Sequence, residues 1–433
     1  MRTYANVPAI LAIAVVILLS GCRKNVQDPL LPDEKNLSLV SLSEARSIAE
    51  EFNPNLFYDL SNAGNKAKYK SPLTGNNVIQ SVVTINDHSA VPALYVFNYD
   101  QGFLIVSADH NLEPIQAFVE KGSYGKTPTP EGAGMWLKKT VNNIEALRKG
   151  LYDHSKLAKI AWRETKAHLY PKRGTVNQVG VNIMAPPTNP CDADPNYSSG
   201  TMTSVGPLIA TNWGQGCGYN DLVPDIGCSY CGNRPPTGCV ATAMAQVIAY
   251  WQYPTGTYNY SAMQPNWGEV NTQMLMRDAG QRLLMQYGCS GSHPPVETYL
   301  FNWHLNTPTY EYIIEAFKNG GGYGFTYGNA NGQDYSHIDN YGMVQTDIFA
   351  YKPIIFTGNT NDEGHCWVCD GACTTDYQWC VDGTLQGEST LSFHMNWGWD
   401  GYCNGWFSFA NWYIPQVGYN FQYYNEIVYN IHP

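Results

Sequence analysis

At 433 residues the chain exceeds one typical domain, and with 44% hydrophobic and 14% charged residues it reads as packed globular protein, not disordered or fibrous material. The net charge of −11 is unevenly spread: residues 23–190 hold 19 Lys and Arg against 16 Asp and Glu, whereas residues 191–433 hold 5 against 20. A part at −15 is repelled by phosphate backbones, which argues against a nucleic-acid partner.

The chain opens with Arg2 and a 15-residue apolar run, "VPAILAIAVVILLSG". That is short of the roughly 20 residues a membrane-crossing helix needs, and suits the core of an export signal. It ends in Leu-Ser-Gly-Cys, which resembles a bacterial lipobox with Cys22 as the lipidated residue. Residues 1–22 are therefore expected to be a lipoprotein signal peptide. The expected location is the cell envelope, at the outer membrane or surface, with membrane attachment through Cys22 and a C-terminal domain that can be released.

Residues 23–172 read as a small α+β domain. "SLSEARSIAEEF" places Ser41 and Glu44 at capping-box spacing and lines Leu42, Ala45, Ile48, Ala49 and Phe52 along one helical face. "ALYVFNYDQGFLIVSAD" carries two apolar runs about a polar, glycine-containing turn, the pattern of a hairpin. "GAGMWLKKTVNNIEALRKGL" predicts a second helix. No nucleophile stands beside a base here. Residues 173–203, rich in Pro, Asn, Ser and Gly and without periodicity, read as a linker, to be cut at its start, where Lys172 and Arg173 stand, or at a site nearer Gly200.

Residues 204–433 open with the glycine-rich "NWGQGCGYND". "GCVATAMAQVIAYWQYP" then predicts a helix that is apolar almost all round, begun at Gly238 with Thr237 as a candidate cap and stopped by Pro254. Short strands follow: "KPIIFTG", "HCWVCDG", "YQWCVDG", "LSFHMNWG" and "GWFSFA". A helix packed on an antiparallel sheet or partial barrel is the expected arrangement.

The chain has 12 cysteines. Setting aside Cys22 and Cys239 leaves an even number for an oxidising compartment, and these are expected to be mostly disulfide-bonded. Zinc is the rival for the two CxxC pairs, "CSYC" and "CWVC". They are too far apart in sequence, and strand positions three apart face opposite sides, so no metal or other cofactor is expected.

Cys239 sits where a helix N-terminus favours an anion. His365 heads an apolar strand after a polar loop that includes Asp362 and Glu363. It can accept the thiol proton and later return it to a leaving amine. Asn396 ends a strand beside Trp397 and Trp399. Its amide oxygen is expected to accept from the imidazole while the indoles shield that bond from water. The Cys239 backbone N–H and the Gln215 side chain are the candidate donors to an oxyanion. His394 lies on the same strand face as Asn396 and is the rival base. Asp400, in "GWDGY", reads as a turn residue.

The order Cys, His, Asn is that of papain-like proteases. "GCVATAMAQVIAYWQYP", "GHCWVCDG" and "NWGWDGYCNGWF" resemble the signature blocks of the streptopain family, and "NWGQGCGYN" its oxyanion-hole segment. "GFLIVSADHNLEPIQAF" is similar to a strand region of that family's prodomain. The resemblance implies a papain-like α+β catalytic domain over 204–433 behind an inhibitory prodomain over 23–172. It implies a cysteine endopeptidase made as a zymogen, acting on protein or peptide substrates. Its residues would be Cys239 as nucleophile, His365 as base, Gln215 as oxyanion donor, and Asn396 with Trp397 as orienting and shielding groups. The density of cysteines departs from the family pattern. An adhesin on the same scaffold would not need the nucleophile and base intact; an acyltransferase would, and only turnover separates it from a hydrolase.

Overall fold

The computed structural model describes residues 38–433 apart from 59–77, 127–128, 130, 152–154, 167–171, 174–188, 230, 296–297, 301–302, 306–308, 319–330, 335–341, 360–363, 409–412, 415–418 and 421–425. The signal segment with Cys22, and the loop residues Asp362 and Glu363, lie outside the described residues. Among those described, no helix is long and apolar enough to cross a membrane.

The N-terminal part runs α1 (Leu42–Glu51), β1 (Ser81–Asn86), β2 (Pro92–Asn98), β3 (Phe103–Ser107), β4 (Ile115–Val119), α2 (Glu131–Arg148) and α3 (Ser155–Lys166). The Ser41 hydroxyl caps α1 by accepting from the Glu44 N–H at 3.2 Å. Ala45, Ile48 and Ala49 are buried beneath it, while Leu42, in the uncovered first turn, is 42% exposed. β2 and β3 form the expected antiparallel hairpin, Asn98 facing Phe103.

The segment read as a linker contains β5 (Lys172–Arg173), α4 (Pro190–Ala193) and β6 (Ser198–Val205). β6 pairs antiparallel with the long strand β11 described below over eight residues, and Cys191 is disulfide-bonded to Cys380. Low periodicity concealed this strand because six of its eight residues are Ser, Thr or Gly. Its backbone ladder to β11 positions it, and of its side chains Met202 and Val205 enter the core.

Beyond it lie α5 (Cys239–Trp251), α6 (Val270–Arg282), β7 (Thr298–Leu300), β8 (Trp303–Leu305), α7 (Thr309–Lys318), β9 (Asn331–Asp334), α8 (Gly342–Phe349), β10 (Ile354–Asn359), β11 (Gly364–Val381), β12 (Thr384–Asn396), β13 (Gly405–Ser408), β14 (Tyr413–Ile414), β15 (Tyr419–Asn420) and β16 (Glu426–Tyr429). The two segments "HCWVCDG" and "YQWCVDG" belong to one 18-residue strand, β11. Asp382 and Gly383 turn it into β12 with φ of 50° and 75°, the positive values that a two-residue hairpin requires.

One sheet crosses the whole described chain in the order β1-β2-β3-β4-β13-β12-β11-β10-β16-β9. The join between the two parts is β4 against β13, Trp406 facing Phe118. Side-chain alternation along β11 divides the core. Cys366 and Val368 pack with α5 and α6, whereas Trp367 and Cys369 pack with Trp136, Ile144 and Trp397 on the face that α2 covers. An N-terminal helix therefore closes one face of the C-terminal sheet.

Candidate active site

α5 begins at Cys239 and is buried along most of its length, from Val240 to Ile248. Gly238 precedes it at φ 91°, and a Cβ there would stand 2.5 Å from the Ser292 carbonyl oxygen. Only glycine fits both the backbone angle and that approach. Thr237 does not cap the helix, which has no side-chain cap. Its N–H donates instead to the Gln215 carbonyl at 2.9 Å, and its hydroxyl lies 3.0 Å from that of Thr242. The bond to Gln215 ties the glycine-rich loop to the residue two before the cysteine.

Cys239, Gln215, His365 and Trp399 line one cavity of about 730 Å³, together with Pro236, Ser292, His293, Asp400 and Tyr402. Cys239 is partly accessible; His365 is 3% exposed. Three of the sequence-predicted residues thus meet around one hollow. Trp397 and Asn396 lie behind it, both 1% exposed.

The histidine is held differently from expectation. Its Nε2 lies 2.9 Å from the Trp397 carbonyl oxygen. A carbonyl only accepts, so Nε2 carries the hydrogen, and in the neutral ring Nδ1 keeps the lone pair. The Asn396 side chain, expected to orient the imidazole, is engaged elsewhere. Its Nδ2 donates to the Thr211 carbonyl at 2.7 Å and to Gln246 Oε1 at 3.1 Å, and its Oδ1 accepts from the Gly398 N–H at 3.3 Å. Asn396 therefore fixes the turn whose backbone holds the ring.

The aromatic surround also shifts by one residue. Trp367 stacks on His365 with ring centroids 6.1 Å apart and planes 13° apart, and Trp399 meets the ring edge-on at 6.4 Å. Trp397 packs against Trp367 at 5.1 Å, one layer back. Trp367 was legible: it is two residues from His365 on a strand and must share its face.

His394 is no part of this cavity. It is 3% exposed, with Nδ1 2.6 Å from Asp370 Oδ1 and Nε2 3.2 Å from Glu120 Oε1. Burial alone would lower its pKa, but the two carboxylates outweigh this and raise it to about 10. A histidine kept cationic cannot serve as the base. Asp400 occupies a turn at φ 53°, and partial burial lifts its pKa from the ordinary carboxylate value.

Of the ten cysteines expected to be mostly bridged, six are: Cys191–Cys380, Cys217–Cys231 and Cys228–Cys289. Cys366, Cys369, Cys373 and Cys403 are buried thiols instead. The first three lie on β11, where they fill core positions as small hydrophobes. The two bridges near the cavity anchor its walls: Cys217 follows Gln215 and Gly216, and Cys289 precedes the lining residues Ser290 to His293. Among the described residues, no group of His, Cys, Asp and Glu could hold a metal ion.

The N-terminal part reaches this site. Lys126 lines the cavity, and Lys121 Nζ donates to the Asp400 carbonyl at 2.8 Å while lying 4.3 Å from the Tyr402 ring centre. At the start of α2, a Cβ on Gly132 would fall 2.3 Å from Trp397 Cζ3. The helix therefore rests directly on the indole behind His365.

Two family models match the chain: Spi protease inhibitor over residues 37–144, and peptidase C10 over 213–274 and 255–407. Thiol protease/hemagglutinin PrtT of Porphyromonas gingivalis is 26% identical over 349 residues, covering 72% of this chain and 33% of that protein. Streptopain of Streptococcus pyogenes is 26% identical over 238 residues, covering 45% of this chain and 52% of its own length. The chain thus spans about a third and about half of these two relatives. A prointerpain A fragment of Prevotella intermedia is 21% identical, with a TM-score of 0.48, 82% of this chain and 99% of that one being covered.

Proposed function

The chain belongs to the peptidase C10 (streptopain) family and carries a Spi-type inhibitor domain, and on that premise we propose that it is a cysteine endopeptidase made as a zymogen. The observation that carries the reading is the convergence of Cys239, His365 and Gln215 on one cavity, with His365 pinned through Nε2. Cys239 Sγ attacks the scissile carbonyl carbon as its proton passes to His365 Nδ1. The tetrahedral oxyanion accepts hydrogen bonds from the Cys239 N–H and the Gln215 side chain. His365 then gives its proton to the departing amine, leaving a thioester. A water molecule, deprotonated by His365, attacks the thioester; the acid product leaves and the thiol is restored.

The zymogen reading draws support from Lys126 in the cavity and from the shared sheet, through which residues before the cleavage segment would cover and hold the site. The N-terminal part, about 23–172, acts as the intramolecular inhibitor, and cutting within 173–203 releases the peptidase part. The lipobox-like Leu-Ser-Gly-Cys supports attachment to the cell envelope through a lipid on Cys22, so that cutting would free the peptidase from the membrane. The test is casein hydrolysis by the processed protein, with peptide mapping of an epoxide inhibitor of thiol peptidases. Label on Cys239 and an inert Cys239→Ala variant are expected; normal turnover by that variant would refute the reading.

A further inference from the structure

Gln246 is fully buried on α5, between Ala245 and Val247. An amide buried in an apolar helix is costly unless its atoms are hydrogen-bonded, and an aliphatic residue would pack there more cheaply. Here the amide is well partnered. Its Oε1 accepts from the Thr211 hydroxyl at 3.1 Å, the Trp213 N–H at 3.3 Å and Asn396 Nδ2 at 3.1 Å. Its Nε2 lies 3.3 Å from Asn396 Oδ1, so the two amides form a reciprocal pair.

Each partner lies next to one part of the site. Trp213 is two residues before Gln215, in the loop whose carbonyl also receives the Thr237 N–H. Asn396 directly precedes Trp397, whose carbonyl holds His365. Gln246 itself follows Cys239 by seven residues, two helical turns, and so lies on the same face about 10.5 Å along the axis. One side chain thus connects the helix bearing the sulfur, the loop bearing the oxyanion donor and the turn that orients the imidazole.

We propose that Gln246 is a positioning residue: it sets the register of the Gln215 loop and the Asn396–Trp397 turn on α5, and so the placement of Gln215 and His365 about Cys239. The inference rests on the peptidase reading above. Without the amide, the Trp213 N–H and the Asn396 side chain lose their shared partner in a region that water does not reach, since Trp213 is 0% and Asn396 1% exposed. Both segments must then shift to find other partners. A displacement of about 1 Å in a catalytic group can cost on the order of a hundredfold in rate.

The test uses the full chain carried through its activating cleavage, as wild type, Gln246→Met and Gln246→Glu. Methionine matches the length and keeps the burial but loses every hydrogen bond. Glutamate keeps the acceptor oxygen and regains a donor toward Asn396 Oδ1 only when its carboxyl is protonated. The measurements are kcat and KM on a fluorogenic peptide, and the rate of Cys239 alkylation by iodoacetamide across pH. Gln246→Met is expected to lower kcat about tenfold to a hundredfold with KM little changed, and to alter the pH dependence of alkylation. Gln246→Glu is expected to recover toward wild type as pH falls, a rescue that a purely structural role would not produce. Wild-type kcat and alkylation profile in Gln246→Met would overturn the proposal. If that variant fails to fold, a pH-independent ratio of Gln246→Glu to wild type would overturn it. An inactive wild type whose Cys239 is not selectively alkylated would instead refute the peptidase reading, and the proposal with it.

Discussion

His394 Nε2 lies 3.2 Å from Glu120 Oε1, an ion pair joining a residue of the peptidase-matched segment to one of the inhibitor-matched segment. The Tyr58 hydroxyl also donates to that glutamate oxygen, and Asp370 holds the other nitrogen of the imidazole, Nδ1. Breaking a buried ion pair by removing one partner costs about 3–5 kcal/mol. On the proposed zymogen reading, Glu120→Gln should therefore weaken inhibition of the processed protein by added residues 23–190, by roughly two to four orders of magnitude at that cost. An inhibition constant within a factor of three of wild type would show that this pair does not hold the two parts together.

The same group sets a pH dependence. The His394 pKa is raised to about 10 in the fold, above its ordinary value near 6.5. A raised histidine pKa gives a stability contribution that is complete below about 6.5 and is lost as pH rises through about 10. Chemical denaturation of the full chain should show stability falling across that window more steeply than in His394→Gln. Parallel curves for the two proteins would contradict the assignment.

The two histidines should separate in kinetics. Losing a general acid–base typically costs about 10²–10⁴-fold, so His365→Ala should lower kcat by at least the smaller factor in the processed protein. His394→Ala should lower the melting temperature while leaving kcat within a few-fold. The comparison needs only steady-state rates and calorimetry. The reverse ranking would mean the cavity is not the catalytic site.

Cysteine accessibility gives a direct count. In a protein lacking residues 1–22, native alkylation should modify Cys239 alone. Denaturation without reductant should add Cys366, Cys369, Cys373 and Cys403, and reduction should add the six bridged cysteines. Intact-mass spectrometry reads each step. Prolonged strong reduction should also lower activity, because Cys217–Cys231 and Cys228–Cys289 anchor two walls of the cavity.

On the proposed zymogen reading, the activating cut should leave Cys191 and β6 with the C-terminal part, since both are bound to β11 through the Cys191–Cys380 bridge and an eight-residue ladder. N-terminal sequencing of the processed form should therefore begin at or before Pro190. A start beyond Gly200 would mean that the ladder is dismantled during activation. Gly132→Val should act on the same step from the other side: its side chain would strike Trp397, so the intact chain should gain measurable activity before cleavage.

Local rules were enough for the parts that local rules govern. Serine capping placed α1, the glycine-to-proline interval bounded α5, and period-2 spacing put Cys366 and Cys369 on opposite faces of β11. Cys239 and His365 were legible as candidates for the same reason: a helix start and a strand start are local features. Partner choice was not. Only the packing of α5 beside the Thr211–Trp213 loop gave the Asn396 amide to Gln246. His394 and Asn396 share a strand face, so the sequence could not tell a base from a buried cation; the carboxylates that decide it come from Glu120, 274 residues away, and Asp370. Disulfide pairing and the joining of β4 to β13 are likewise contacts between distant segments, set by how the sheet closes, and no spacing along the chain encodes them.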